Sequence, residues 1–169
     1  MPGVKFSWVL DVARWVRDEL GNLGVTGWLK TSGASGLHIY LPMRPGTSFE
    51  TGMLFCQVVA TLVARRHPEA ATVERVVKKR DVTSVYVDYL QNVPGKTLAC
   101  AYSARASDYA GASTPLTWDE LNDRLDPRDF TIQTLPQRLA QVGDLWAGLR
   151  QAPGIDIEAV IDRAQTRGR

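Results

Sequence analysis

Cysteine and histidine are scarce in this chain, with two of each among 169 residues. Cys56 and Cys100 both lie in apolar runs, so no disulfide framework is available, and they read as buried thiols of a cytoplasmic protein. No apolar run reaches the roughly 18 residues a membrane span needs, so no membrane partner is expected. The N-terminus lacks the charged-then-apolar order of a signal peptide. A net charge of only +2 excludes a global field directed at nucleic acid, so such a partner would have to be met by local patches. Internal repeats and low-complexity segments are missing as well. What remains is ordinary for a globular protein: 44% hydrophobic and 22% charged residues, in a length that fits one domain with a real core.

Periodicity predicts a first helix capped by Ser7, with Val9, Val12, Ala13, Val16, Leu20 and Leu23 inward and Gly21 or Gly24 at its end. A strand–loop–strand unit follows: residues 27–30, a Ser/Gly loop, then 37–41, stopped by Pro42. Thr47 or Ser48 opens a second helix with Leu54, Phe55, Val58, Val59, Leu62 and Val63 inward, closed at His67-Pro68. Residues 69–80 are amphipathic or irregular and end in Lys78-Lys79-Arg80. Two strands are expected at 84–91 and 97–104, separated by the Pro94-Gly95 turn. Thr117-Trp118-Asp119-Glu120 reads as a capping box, with Pro115 and Pro127 bracketing loop. Short helices are expected after Pro136 and over 145–149, and a terminal one over 156–166. This order favours an α+β domain, an antiparallel or mixed sheet with flanking helices.

Chemistry concentrates in Lys30-Thr31-Ser32-Gly33-Ala34-Ser35-Gly36-Leu37-His38-Ile39-Tyr40. Glycines let a backbone approach a ligand, and successive N–H groups in such a turn form an anion-binding concavity. The same letters also suit a plain hairpin. Fifty residues on, Asp88 sits in an apolar segment, and alternation places it with Tyr86, opposite Val85 and Val87. A carboxylate there either faces solvent or contributes a hard oxygen to a divalent metal, and one carboxylate does not make such a site. His38 is open to two readings, a core histidine or a phosphate contact. Lys78, Lys79 and Arg80 are either a solvated run or a nucleic-acid backbone contact. His67 reads as a capping or surface histidine, and the five tryptophans read as packing residues.

Five blocks in order resemble the polymerase domain of bacterial ligase D, a member of the archaeo-eukaryotic primase superfamily. They are Lys30–Tyr40, Val87–Asn92, Gly95–Arg105, Ser113–Trp118 and Phe130-Thr131-Ile132, within a similarity running from about Phe6 to Leu149. The resemblance implies a primase-polymerase (RRM-like) core over residues 1–150, as the C-terminal portion of that domain, with 151–169 as a helical tail. The implied function is nucleotidyl transfer at DNA ends in non-homologous end joining, using Mn²⁺ or Mg²⁺ and a nucleoside triphosphate. It places Ser32, Gly33, Ser35, Gly36 and His38 on the triphosphate, Asp88 as the catalytic metal ligand, and Gln91 and Arg105 on phosphates or sugar. Lys78, Lys79 and Arg80 are candidate DNA contacts.

Two departures from the family pattern matter. Ser35 stands where ligase D domains often carry a lysine, and a hydroxyl holds a polyphosphate less strongly than a cation does. The family's Asp-x-Asp motif, which supplies two of three metal-binding carboxylates, is absent, and Asp11 and Asp18 do not replace it. The expectation is little or no polymerase activity from this chain alone. It would then work with a chain carrying the missing aspartates, or with ligase or end-binding proteins. The alternative is a non-catalytic nucleotide- or DNA-binding remnant or an interaction module.

Overall fold

The computed structural model describes residues 4–167. Their contacts divide the chain into two compact units. One is built from the segments up to Gly27, Leu41–Thr97 and from Pro153 onward; the other from Trp28–Tyr40 and Leu98–Ala152. The sheets are small and helices flank them, the α+β class the sequence predicts.

The first unit is built on two helices, α1 (Phe6–Asn22) and α2 (Phe49–Arg66). The α1 N-cap is Lys5, not Ser7, and no side chain caps it. Its end is the predicted one: Gly24 takes φ +68, and Val25 N–H reaches back to the Leu20 carbonyl at 2.8 Å. Ser48 caps α2 by accepting from Thr51 N–H at 3.1 Å, and His67 ends it. The inward face of α2 is narrower than periodicity implies. Phe55, Val59, Ala60 and Val63 are buried, whereas Leu54 (56% exposed) and Val58 (53%) face outward.

Two further strands complete the core of this unit, β3 (Ala71–Thr72) and β4 (Val85–Tyr86), paired in parallel. Val12, Val63, Ala71 and Val85 form the buried cluster, with Trp8, Trp15, Val16 and Val87 packed around it. The strand predicted over 84–91 is thus cut to two residues, and its partner is β3, not 97–104. α5 (Ile157–Arg167) belongs here too, held through Ile155 N–H to the Pro42 carbonyl at 2.7 Å and an Arg44–Asp156 ion pair.

Glu19 is buried on α1 and its carboxylate is met by Arg66 of α2. Removing the arginine strands a buried acceptor, which costs more than losing a surface ion pair. Arg66→Ala is expected to lower stability by about 1–2 kcal/mol in chemical denaturation. A loss too small to measure would mean that solvent solvates Glu19 instead.

The second unit holds an antiparallel sheet in the order β2 (Leu37–Tyr40), β1 (Trp28–Thr31), β5 (Pro115–Leu116). The hairpin predicted from the Ser/Gly loop is present, with Lys30 opposite His38 and Thr31 opposite Leu37. Pro115, read as loop, lies in the edge strand β5, a position where a missing N–H is tolerated. In place of a strand over 97–104, residues 102–105 pair back on 111–113: Arg105 N–H donates to the Gly111 carbonyl (2.8 Å) and Ser113 N–H to the Ser103 carbonyl (2.9 Å).

The Thr117–Glu120 box forms, with Thr117 N–H donating to Glu120 at 2.8 Å, but it closes a turn and no helix follows. Glu120 also takes Arg138 from α3 (Leu135–Val142). Burial pushes this carboxyl up, yet the Arg138 and Thr117 bonds outweigh it and leave Glu120 below its ordinary range. The short α4 (Ala147–Gln151) follows, with Trp146 against Tyr40 just before it. Cys100, expected to be buried, is exposed; Cys56 is partly buried, and burial pushes its thiol up to about 11.

Candidate functional site

The loop between β1 and β2 owes its shape to Ser32. Its Oγ accepts from both Ala34 N–H and Gly36 N–H at 3.1 Å, and its own N–H donates to the Gly36 carbonyl at 2.8 Å. Two of the N–H groups expected to line an anion-binding concavity are therefore directed at Ser32. The serine hydroxyl still has its proton to donate. Ser35 lies exposed at the apex.

The 102–113 hairpin cradles this loop. Gly33 has φ +76, and a methyl on it would come within 2.5 Å of Arg105 Cγ and 3.0 Å of Ser113 N, so the Arg105 stem lies directly on the loop. Gly111 approaches the Gly33 carbonyl so closely that a Cβ would sit 2.2 Å from that oxygen. Tyr109 Oη donates to the Ala34 carbonyl at 2.7 Å, and Thr31 Oγ1 to the Ala112 carbonyl at 3.0 Å. Tyr102 holds φ +65 at the base of the hairpin. There its N–H bonds the Ser113 carbonyl (2.7 Å) and its hydroxyl donates to Asp144 (2.7 Å). Burial and the Asp144 carboxylate push the Tyr102 phenol up to about 12. Ser32, Gly33, Ser35, Gly36, His38 and Arg105 thus all belong to one built region of the second unit.

A residue not singled out in the sequence sits at its centre. Lys30 is fully buried, with Nζ 3.0 Å from His38 Nδ1 and hydrogen-bonded to Ser113 Oγ. Burial, then the nearby Arg105, lowers its pKa from the ordinary 10.5 to about 8. No carboxylate pairs with it among the described residues. The available signal was the hairpin register, since closing the loop at Thr31 and Leu37 sets residue 30 opposite residue 38.

Asp88 and Gln91 belong to the first unit. Asp88 lies just past β4 and is exposed, as alternation with the buried Val85 requires. Its Oδ1 accepts from Leu90 N–H at 2.9 Å and its Oδ2 from Gln91 Nε2 at 3.1 Å. Gln91 is therefore a partner of this carboxylate. Among the described residues no group of three or more His, Cys, Asp or Glu side chains could hold a metal ion. A lone carboxylate does not fit a two-ion centre.

Arg80 is committed locally: its guanidinium lies 3.7 Å from the Tyr86 ring centroid and donates to the Glu74 and Arg75 carbonyls. Lys78 and Lys79 are exposed on a 3₁₀ turn, Val77–Lys79.

Comparison with known proteins gives this arrangement its context. The family profile described as LigD, primase-polymerase domain, matches residues 1–146. The chain belongs to the LigD primase-polymerase domain family. It is 34% identical over 139 residues to the bifunctional non-homologous end joining protein LigD of Bacillus subtilis (strain 168), covering 82% of this chain and 23% of that protein. It is 30% identical over 172 residues to the multifunctional LigD of Pseudomonas aeruginosa, covering 99% of this chain and 20% of that protein. The polymerase domain of Mycobacterium tuberculosis ligase D, solved in complex with DNA, superposes with a TM-score of 0.77 at 32% identity. That match covers 85% of this chain and 50% of the solved one. The chain thus spans about a fifth of the curated LigD proteins it matches and half of the solved polymerase domain. No described helix is long and apolar enough to cross a membrane.

Proposed function

We propose that the loop–hairpin region of the second unit binds the phosphates of a nucleoside triphosphate, as part of a LigD-type nucleotidyltransferase acting on DNA ends in non-homologous end joining. The observation that supports this best is a buried lysine with no carboxylate partner among the described residues, placed beneath a Ser/Gly loop flanked by His38 and Arg105. A buried cation is costly unless an anion answers it, and a polyphosphate is the anion whose size and charge suit several converging donors. In this reading Ser32 shapes the loop and offers one hydroxyl proton. Ser35 contributes from the apex, and His38 and Arg105 donate to phosphate oxygens.

Asp88, held by Gln91, is the carboxylate this chain would lend to a metal centre completed by other residues. A Mn²⁺ or Mg²⁺ ion held there needs further carboxylates beyond those among the described residues. Activity of this chain by itself is accordingly proposed to be weak or nil. Lys78 and Lys79 are the proposed contacts to the DNA backbone, with Arg80 holding their turn in place. Residues 1–150 are the proposed domain portion, with 151–169 a tail whose described part belongs to the first unit from Pro153 onward.

Titration calorimetry of the chain with a nucleoside triphosphate tests the core of this reading. Wild type is expected to bind, and His38→Ala to weaken binding by about ten-fold, as loss of one hydrogen bond to a charged group implies. Equal affinity in the two proteins, or no heat from either, removes the phosphate site.

A further inference from the structure

The Lys30 ammonium carries three N–H donors and no acceptor. Each has a partner: Ser113 Oγ, His38 Nδ1 at 3.0 Å, and more distantly the Thr31 carbonyl at 3.4 Å. Ser113 passes its own proton on to the Thr31 carbonyl at 3.0 Å, so its oxygen is left to accept from the lysine. The directions in this network are therefore fixed from the lysine outward. A nitrogen 3.0 Å from an ammonium can only be the acceptor, because a proton on Nδ1 would set two donors against each other. The neutral imidazole must then carry its proton on Nε2.

We infer that Lys30 is a positioning residue that holds His38 in the Nε2–H tautomer, making Nε2 a donor and not an acceptor. The cross-strand register places residues 30 and 38 directly opposite, so the contact is built into the sheet and does not depend on a mobile side chain finding it. Thr31, Ser113 and the rest of the 111–116 run are buried, which keeps water from competing for the lysine. A pKa near 8 leaves Lys30 mostly charged at neutral pH, the state this arrangement requires.

The consequence rests on the phosphate reading above. A donor at Nε2 can hydrogen-bond an anionic oxygen, whereas the other tautomer would present a lone pair to it. Lys30 thus acts on the phosphates through the histidine, in addition to the attraction of its own charge.

The test reads the tautomer directly, from the ¹⁵N chemical shifts of the two His38 ring nitrogens at pH 7 with no nucleotide present. Wild type is expected to show the proton on Nε2. In Lys30→Met the Nδ1–H form is expected to rise several-fold. ATP affinity should fall about ten-fold in that variant, the loss of one good hydrogen bond to a charged group. A proton on Nδ1 in wild type overturns the proposal whether or not the variant folds. So does an unchanged tautomer ratio in a folded Lys30→Met. If the tautomer responds but ATP affinity is the same in wild type, Lys30→Met and His38→Ala, the tautomer assignment stands and the phosphate reading falls.

Discussion

Gly111→Ala is expected to be the most damaging single substitution outside the hydrophobic cores. The added methyl would sit 2.2 Å from the Gly33 carbonyl oxygen, 2.7 Å from the Tyr109 ring and 2.9 Å from Ser107 Oγ. The first of these is backbone, so no rotamer change relieves it. Either the 102–113 hairpin or the 32–36 loop must move, and both are tied by short hydrogen bonds. Overpacking of this kind costs on the order of 3 kcal/mol, which in a domain of this size lowers the melting temperature by roughly 10 °C. Triphosphate affinity should fall with it, because the displaced elements carry Arg105 and Ser32. A variant that melts within a degree or two of wild type would show that loop and hairpin are not packed as described. Gly33→Ala meets Arg105 Cβ at 2.9 Å and the Ser113 backbone N at 3.0 Å, atoms that no rotamer change moves, and φ +76 adds backbone strain.

The parts of the fold that sequence made legible are those with a local cause. Ser48 and His67-Pro68 delimit α2 because a cap and a proline act within one turn. The 28–40 hairpin follows from alternation around a Gly-containing loop. The failures share a different cause. β3, β4 and β5 are two residues long each, too short for periodicity to register, and each exists only because a distant segment supplies its partner. Val85-Tyr86-Val87-Asp88 alternates beyond the point where pairing stops, so a pattern of faces does not set a strand's length. Its facing was nonetheless right, with Val85 buried and Asp88 exposed.

The candidate site shows the same division. Ser32 and His38 are readable from motif chemistry and from the resemblance, Arg105 from the resemblance alone, and the structure gathers all three in one unit. Lys30 carries no local sign of burial, since a lysine at a strand end is ordinarily solvated. Its burial follows from β5 and the 102–113 hairpin closing over it, which no local pattern announces. The concavity of N–H groups inferred from the glycines is partly internal, since Ser32 Oγ takes two of them.

Lys30→Met should make the protein more stable while weakening the site. A lysine whose pKa falls from 10.5 to about 8 on folding is held in its charged form at an expense of roughly 3 kcal/mol. The sign follows from proton binding. Between pH 8 and 10.5 the unfolded chain keeps the proton and the folded one releases it, so stability rises with pH across that window. Below about pH 8 the penalty is fully present, and above 10.5 it is gone. Methionine removes the charge and fills a similar volume, at the loss of donors to His38 Nδ1 and Ser113 Oγ worth together about 1–2 kcal/mol. The net gain at pH 7 should be about 1–2 kcal/mol, shrinking toward zero or below as pH passes 10. Tyr102 and Cys56 also shift in the alkaline range, so the informative quantity is the difference between variant and wild type at each pH, read from denaturant midpoints. If methionine instead destabilises at pH 7, Lys30 is a structural anchor and its burial needs no functional reason. A gain at neutral pH has the opposite meaning: the fold carries a destabilising cation at this position, which selection for stability alone would have removed.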